Sequence, residues 1–435
     1  MVAKLITRNM ALALYISIAI ASDLLGFYYV GTMMIVPLLF AVIITNRGVS
    51  KGLIVAIAPL IAILVIGLLR VEPNEAVTFW KDLWAFLRIP AGVVVGYALF
   101  SRMSGGATEL RTIIILPSLV YSYVQLSKFI VDPSLITQTA ANIRSVAGNG
   151  DVYLALGLIM SLVRVGAVRS GGIRRLSRGL AAAVLFLAMM LSFSRAIVLF
   201  SIAVAVFAFW RKRYWKYLIF VSPLFIAGLF FLTSSLGESN SSFTEGTFIE
   251  KLARASTEIA ISDYDDQQNI NLNWRGYESY MALKHFLAGN FANYAFGYGF
   301  GELVDVGIYM KLGGEDLRYV PYFHNGYLYL LIKTGIVGLL LYLIFIGGLF
   351  SRLSRAQRNW PREHPVHFFT GLAKGALIGT LFMTYIISGL FNKADGLAIS
   401  LLLGAILAVS RSAPEPSRPQ LVKRYFATRG GIKSH

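Results

Sequence analysis

The chain has 435 residues, 56% of them hydrophobic and only 14% charged, with a formal net charge of +18. Soluble domains run nearer a quarter charged, so a soluble globular protein is excluded. The basic residues fall in short runs between apolar spans, the positive-inside pattern of a membrane protein, with no readable nucleic-acid motif among them; the lack of cysteine excludes disulfides and thiolate metal sites.

Apolar stretches of membrane-crossing length recur from end to end. They predict an all-α polytopic membrane protein with spans near 9–25, 27–45, 52–70, 83–101, 112–131, 151–168, 179–193, 196–210, 217–236, 326–350, 367–389 and 396–410. The first run follows Lys4 and Arg8 and contains Ala19-Ile20-Ala21, which mimics a signal-peptidase site. A second apolar run from Tyr28 to Thr45 follows almost at once, so a helical hairpin is expected in place of a cleaved signal.

Alternate connections are basic. They hold Arg47 and Lys51, then Arg102 and Arg111, then Arg169, Arg174, Arg175 and Arg178. Further along come Arg211, Lys212, Arg213 and Lys216, then Arg352, Arg355, Arg358 and Arg362, and last the tail from Arg411. This parity places both termini in the cytoplasm. The opposite connections carry Glu72 and Glu75, or Asp132 with Arg144; residues 237–323 carry twelve acidic against six basic residues over 87 positions. A long acidic segment can be translocated where basic ones resist it. The expected organisation is therefore nine N-terminal spans (1–236), a large outer loop (237–323), three C-terminal spans (324–410) and a basic tail (411–435).

Residues 179–210 are apolar apart from Arg195 and are flanked by basic runs at both ends. A single helix of that length would be about 48 Å long and would put those runs on opposite sides. Two short helices turning at Phe193-Ser194-Arg195 keep both runs inside and bring Arg195 to the outer surface. A guanidinium near hydrocarbon costs about 2.5–3.5 kcal/mol, so Arg195 either snorkels, caps a helix or lines a site. Arg88 and Lys333 also lie within or near spans; both can snorkel, and Arg88 can equally face an internal cavity.

The outer loop contains Asn273-Trp274-Arg275-Gly276-Tyr277-Glu278, then an aromatic stretch and Gly297-Tyr298-Gly299-Phe300-Gly301. No strand-then-helix context accompanies these glycines, so they predict a tight turn and not a phosphate cradle. Asp263, Asp265 and Asp266 lack the spacing of a calcium loop, and a solvated acidic loop is expected there. Beyond Arg318 the loop closes with Tyr322-Phe323-His324-Asn325-Gly326-Tyr327 and passes into an apolar helix. His324 thus stands where a long polar loop meets the membrane, placed to meet a lipid headgroup. His285 is the other outer histidine; His364, His367 and His435 fall on the predicted cytoplasmic side.

Together these features resemble the O-antigen ligase and O-antigen polymerase superfamily of bacterial envelope glycosyltransferases. His324-Asn325 followed by Leu328, Gly335 and Gly338 is similar to that family's HN-xx-L…G-xx-G start of a late helix. Ser194-Arg195 resembles its serine–arginine pair at the periplasmic end of an earlier span, and Arg275 resembles its loop arginine. Lys333 departs from the pattern, standing where many members have an acidic residue.

The resemblance implies a GT-C-like architecture in the bacterial inner membrane, with the large loop periplasmic. It implies transfer of an oligosaccharide from undecaprenyl diphosphate to an acceptor hydroxyl, with inversion and without a metal or other cofactor. The acceptor is a lipid A core for a ligase and another lipid-linked repeat, the growing glycan, for a polymerase. Arg195 and Arg275 are then expected on the diphosphate, since arginine offers planar, permanently charged donors. His324 is expected to take the acceptor proton, as imidazole titrates near neutrality, and a loop carboxylate such as Glu278 can orient His324 or Arg275. Asn325, Tyr322, Arg318 and Arg88 are further candidates for substrate contact. The rival class is a polytopic transporter or flippase of lipid-linked oligosaccharide, which would show related halves and a mid-membrane site.

Overall fold

The computed structural model describes residues 8–24, 34–39, 50–71, 76–101, 106–137, 143, 146, 150–163, 172–192, 194–209, 270, 273–312, 315–362, 364–391 and 395–412. The N-terminal part comprises α1 (Arg8–Leu24), α2 (Lys51–Leu69), α3 (Ala76–Phe100), α4 (Ala107–Val131), α5 (Asp151–Leu162), α6 (Gly172–Leu191) and α7 (Arg195–Phe209). The described part of the expected outer loop adds α8 (Trp274–Leu287), α9 (Phe291–Phe296) and strands β1 (Val304–Leu312) and β2 (Glu315–Val320). The chain then forms α10 (Gly326–Asn359), α11 (Pro365–Ile387), a 3₁₀ turn (Gly389–Phe391) and α12 (Asp395–Ser412).

Five of these helices, α2, α3, α4, α10 and α11, are long and apolar enough to cross a membrane, and shorter apolar helices lie within α1, α5, α6 and α7. Large apolar side chains stay exposed along their outer faces, among them Val55, Val65 and Leu69 on α2, Leu180 and Leu187 on α6, and Leu340 and Ile344 on α10. So wide an uncovered apolar surface is what a bilayer covers. The chain is a multi-pass membrane protein. The expected span 217–236 lies outside the described residues, as does most of 27–45, of which 34–39 is helical.

Close backbone approach organises the centre. α3 is buried over most of its length, and it runs parallel to α12 because Gly92 and Gly96 admit Ser400 and the Leu401 carbonyl, while Gly404 admits Val93. Small residues at such contacts let helices pack without a hydrophobic drive between them. α7 and α11 cross antiparallel in the same manner: Gly379 meets Phe200, Gly375 meets Val204 and Gly371 meets Phe207 and Ala208.

The structure differs from the sequence reading in several places. α3 starts at Ala76, about two turns before the expected 83, because Asp82 is a paired residue inside the bundle and not a boundary. α10 continues to Asn359, so Arg352, Arg355 and Arg358 ride on its last turns where a connection was expected; arginine is a good helix former once the hydrocarbon ends. The expected all-α fold also contains a two-stranded antiparallel hairpin, β1–β2, within the expected outer loop. Its inward positions Val304, Val306 and Val320 are buried, alternating with partly exposed Asp305 and exposed Gly307. The expected break near Phe193-Ser194-Arg195 is present between α6 and α7.

Candidate active site

At one end of the bundle α8, α9 and the hairpin meet the starts of α3 and α10 and the turn between α11 and α12. α10 begins here because Asn325 caps it: its side-chain oxygen accepts from Tyr327 N at 3.0 Å and Leu328 N at 3.4 Å. His324, the residue before the cap, is thereby aimed out of the helix. Ser388, at the end of α11, donates from its hydroxyl to the Phe323 carbonyl at 2.8 Å and the His324 carbonyl at 3.2 Å, fixing the same backbone from the other side.

The His324 ring is held by a carboxylate. Glu278, on the first turns of α8 and 2% exposed, places Oε2 2.9 Å from His324 Nδ1. The same oxygen accepts from the His324 backbone N–H at 3.1 Å. The imidazole side chain is 44% exposed. With Nδ1 on the carboxylate, Nε2 is the nitrogen left for a ligand. Arg275 precedes Glu278 by three positions on α8, so both belong to one face of that helix, and Arg275 is half-buried.

Arg195 begins α7, and its side chain lies outside the described residues. Its backbone level follows from packing: with Phe200 at Gly379 and Val204 at Gly375, the antiparallel register sets Arg195 near Thr384. That is one turn from Ser388, which holds His324. The starts of α7, α8 and α10 therefore converge on one end of the bundle.

The other sequence candidates occupy definite positions. Tyr322 donates its hydroxyl to the Phe391 carbonyl at 2.6 Å, and burial pushes its phenol up to about 12, so it remains a donor at neutral pH. Arg88, buried on α3, donates to that same carbonyl. Arg88 thus faces inward and does not snorkel. Arg318 grips Asp305 across the hairpin with two hydrogen bonds of 2.8 and 2.9 Å, and this holds the Asp305 carboxyl below its usual range. Asp263, Asp265 and Asp266 fall outside the described residues. Among the described residues no group of three or more His, Cys, Asp or Glu is arranged to hold a metal ion.

Beneath the site lies a buried ionic network that sequence reasoning did not assemble. Lys333 Nζ is 2.6 Å from Asp82 Oδ2, with no exposed surface on the lysine side chain. Asp82 also accepts from Tyr329 OH at 2.5 Å and from Gly301 N at 2.8 Å, and Lys333 donates to the Glu302 carbonyl. The expectation that Lys333 can snorkel is corrected: it is neutralised in place. The usable signal was Asp82 itself, an acid within an apolar run, which in a membrane calls for a partner. Aromatic rings seal the layer, with Phe86 4.7 Å from Phe391 and 4.9 Å from Phe300, and Tyr322 5.0 Å from Tyr329.

The glycine cluster Gly297–Gly301 is a strap between two helices. Tyr298 N donates to the Ile332 carbonyl at 2.7 Å and Gly299 N to the Lys333 carbonyl at 3.2 Å, while Phe300 N donates to the Gly67 carbonyl at the end of α2 at 3.1 Å. The two α10 carbonyls are available because α10 breaks at Gly335 (φ 66°, ψ −168°). The strap thus satisfies backbone groups that an interrupted helix would leave bare.

No curated protein matches the chain. Residues 180–343, the stretch from α6 through the first half of α10, match the family model described as O-antigen ligase. That segment carries Arg195, Arg275 and His324, and over it the chain is similar to the O-antigen ligase and polymerase superfamily.

Proposed function

We propose that this membrane glycosyltransferase moves an undecaprenyl-diphosphate-linked glycan onto an acceptor hydroxyl at the His324 end of the bundle. The acceptor is a lipid A core, as in a ligase, or a second lipid-linked repeat, as in a polymerase. The observation that carries the reading is the buried Glu278 carboxylate bonded to both N and Nδ1 of His324, in a segment of that family. A carboxylate only accepts, so Nδ1 carries hydrogen, and in the neutral ring Nε2 presents a lone pair. Nε2 takes the acceptor proton as the hydroxyl oxygen attacks the anomeric carbon, and the bond from that carbon to the diphosphate breaks with inversion. The leaving diphosphate gains negative charge, which Arg195 and Arg275 neutralise with charge-assisted hydrogen bonds. Two arginines then serve where a divalent cation otherwise would, so transfer survives chelation.

The test uses purified protein in liposomes, a lipid-diphosphate-linked oligosaccharide and either acceptor, with product length read on a gel. His324→Ala lowers the transfer rate by about 10²–10⁴ while melting stays near wild type, as the ring is half-exposed. Glu278→Gln, which offers Nδ1 a weaker partner, loses part of that factor. A His324→Ala enzyme above about a tenth of wild-type rate overturns the base assignment. Lipid-linked glycan that crosses the bilayer with no transfer to either acceptor favours the flippase reading. Activity removed by EDTA and restored by magnesium overturns the metal-independent step.

A further inference from the structure

The end of the bundle opposite His324 holds a second site with its own chemistry. A cavity of about 390 Å³ lies between the start of α2, the last turns of α10 and the end of α12, lined by Arg352, Arg355 and Arg411 and by Tyr97. Leu53 and Leu407 form apolar wall, and no carboxylate is among the described lining residues. Arg352 is tethered through Nη1 to the Gly52 carbonyl at 2.9 Å; Arg411 is tethered through Nη1 to Ser50 Oγ, with the Tyr97 hydroxyl at 3.5 Å. Each guanidinium has five N–H donors, so a single tethered nitrogen fixes the group and leaves the others for a ligand. Ser50 caps α2, which directs the positive end of that helix toward the same corner.

Three cations around one cavity repel one another until an anion enters. Planar forks from two helices, α10 and α12, suit a tetrahedral oxyanion better than a flat carboxylate, because several phosphate oxygens can each be engaged. The volume is that of a small headgroup and not of a glycan chain. On α2, Ile54 and Val55 beside the cavity are 49% and 61% exposed, as on a helix facing hydrocarbon, so a lipid can reach the arginines from the bilayer. From this we infer that the Arg352–Arg355–Arg411 cavity binds a phosphate group, carried on an anionic phospholipid or free in solution, at a site separate from the transfer chemistry. Basic pockets between membrane helices are suited to such headgroups.

The full chain in detergent is tested by native mass spectrometry with phosphatidylglycerol and phosphatidylcholine, and by thermal shift with inorganic phosphate. Two doubly substituted proteins remove equal charge: Arg355→Gln with Arg411→Gln inside the cavity, and Arg358→Gln with Arg362→Gln on the same end but outside its lining. Phosphatidylglycerol is expected to bind in preference to phosphatidylcholine, to weaken by about tenfold or more in the cavity variant and to be unchanged in the outer one. Inorganic phosphate that stabilises the wild type with the same sensitivity supports the site and identifies free phosphate as its ligand. Equal losses in both variants reveal general basic attraction and overturn the site, as does undiminished binding in the cavity variant. If the glutamine variant melts early without lipid, Arg355→Lys with Arg411→Lys keeps the charge and removes the forks. An intermediate loss in that variant supports the site, and wild-type binding overturns it.

Discussion

Lys333 is an ammonium with no exposed surface, and it persists inside an apolar helix because Asp82 neutralises it at 2.6 Å and the Glu302 carbonyl takes a second hydrogen. Breaking a buried pair from one side leaves a bare charge and costs about 3–5 kcal/mol, more than the pair itself contributes. Lys333→Met and Asp82→Asn should each lower the melting temperature in detergent markedly. The double variant should recover much of either loss, because neither remaining group is then an orphan. Additive losses in the double variant would mean that the two residues stabilise the bundle independently. Sequence reading isolated Lys333 as a departure from the family pattern but had no means of naming its partner, which lies 251 positions away. Glu278 stands 46 positions from His324, and the fold of α8 against the loop end decides that it orients this histidine.

Between residue and fold stands the interrupted helix. α10 was legible as an apolar run from 326, yet its break at Gly335 was not, since glycine inside an apolar helix gives no sign of whether it bends. The break matters because it frees the carbonyls that the strap from Tyr298 to Phe300 uses. Gly335 holds φ 66° and ψ −168°, a region open in practice to glycine alone, and a Cβ there would strike the Ala295 carbonyl. Gly335→Ala is therefore expected to cost at least about 1–3 kcal/mol and to loosen the outer segment. Gly347→Ala on the same helix is the internal control: no described residue lies within 4 Å of the added methyl, and ordinary helix propensity makes it neutral or stabilising by up to about 1 kcal/mol. Melting curves of the two proteins, with protease sensitivity of the outer segment, separate the cases; equal behaviour would show that the break carries no strain-dependent role. The hairpin was missed for a related reason. Its alternation Val304, Asp305, Val306 is short and lies within a segment whose charge, not periodicity, dominated the reading.

At the scale of the whole molecule, apolar runs were enough to expect most of the described membrane helices, because a bilayer demands length and hydrophobicity and little else. The convergence of α7, α8 and α10 was beyond such a reading, as it depends on which glycines let which backbones touch. The proposed sidedness of the bundle rests on charge and can be measured directly. Arg352, Arg355, Arg358 and Arg411 gather at one end, while Glu278, Glu302 and Asp305 belong to the other. Membranes retain basic connections on the cytoplasmic side, so the proposed arrangement puts His324 and the β1–β2 hairpin outside. The chain has no cysteine, so a single introduced thiol reports without background. Tyr309 on β1 is 69% exposed, and Arg358 near the end of α10 is exposed as well. In spheroplasts, a membrane-impermeant maleimide should label Tyr309→Cys at once and should reach Arg358→Cys only after permeabilisation. The opposite pattern would invert the bundle, set His324 on the cytoplasmic face and separate the proposed chemistry from a periplasmic glycan acceptor.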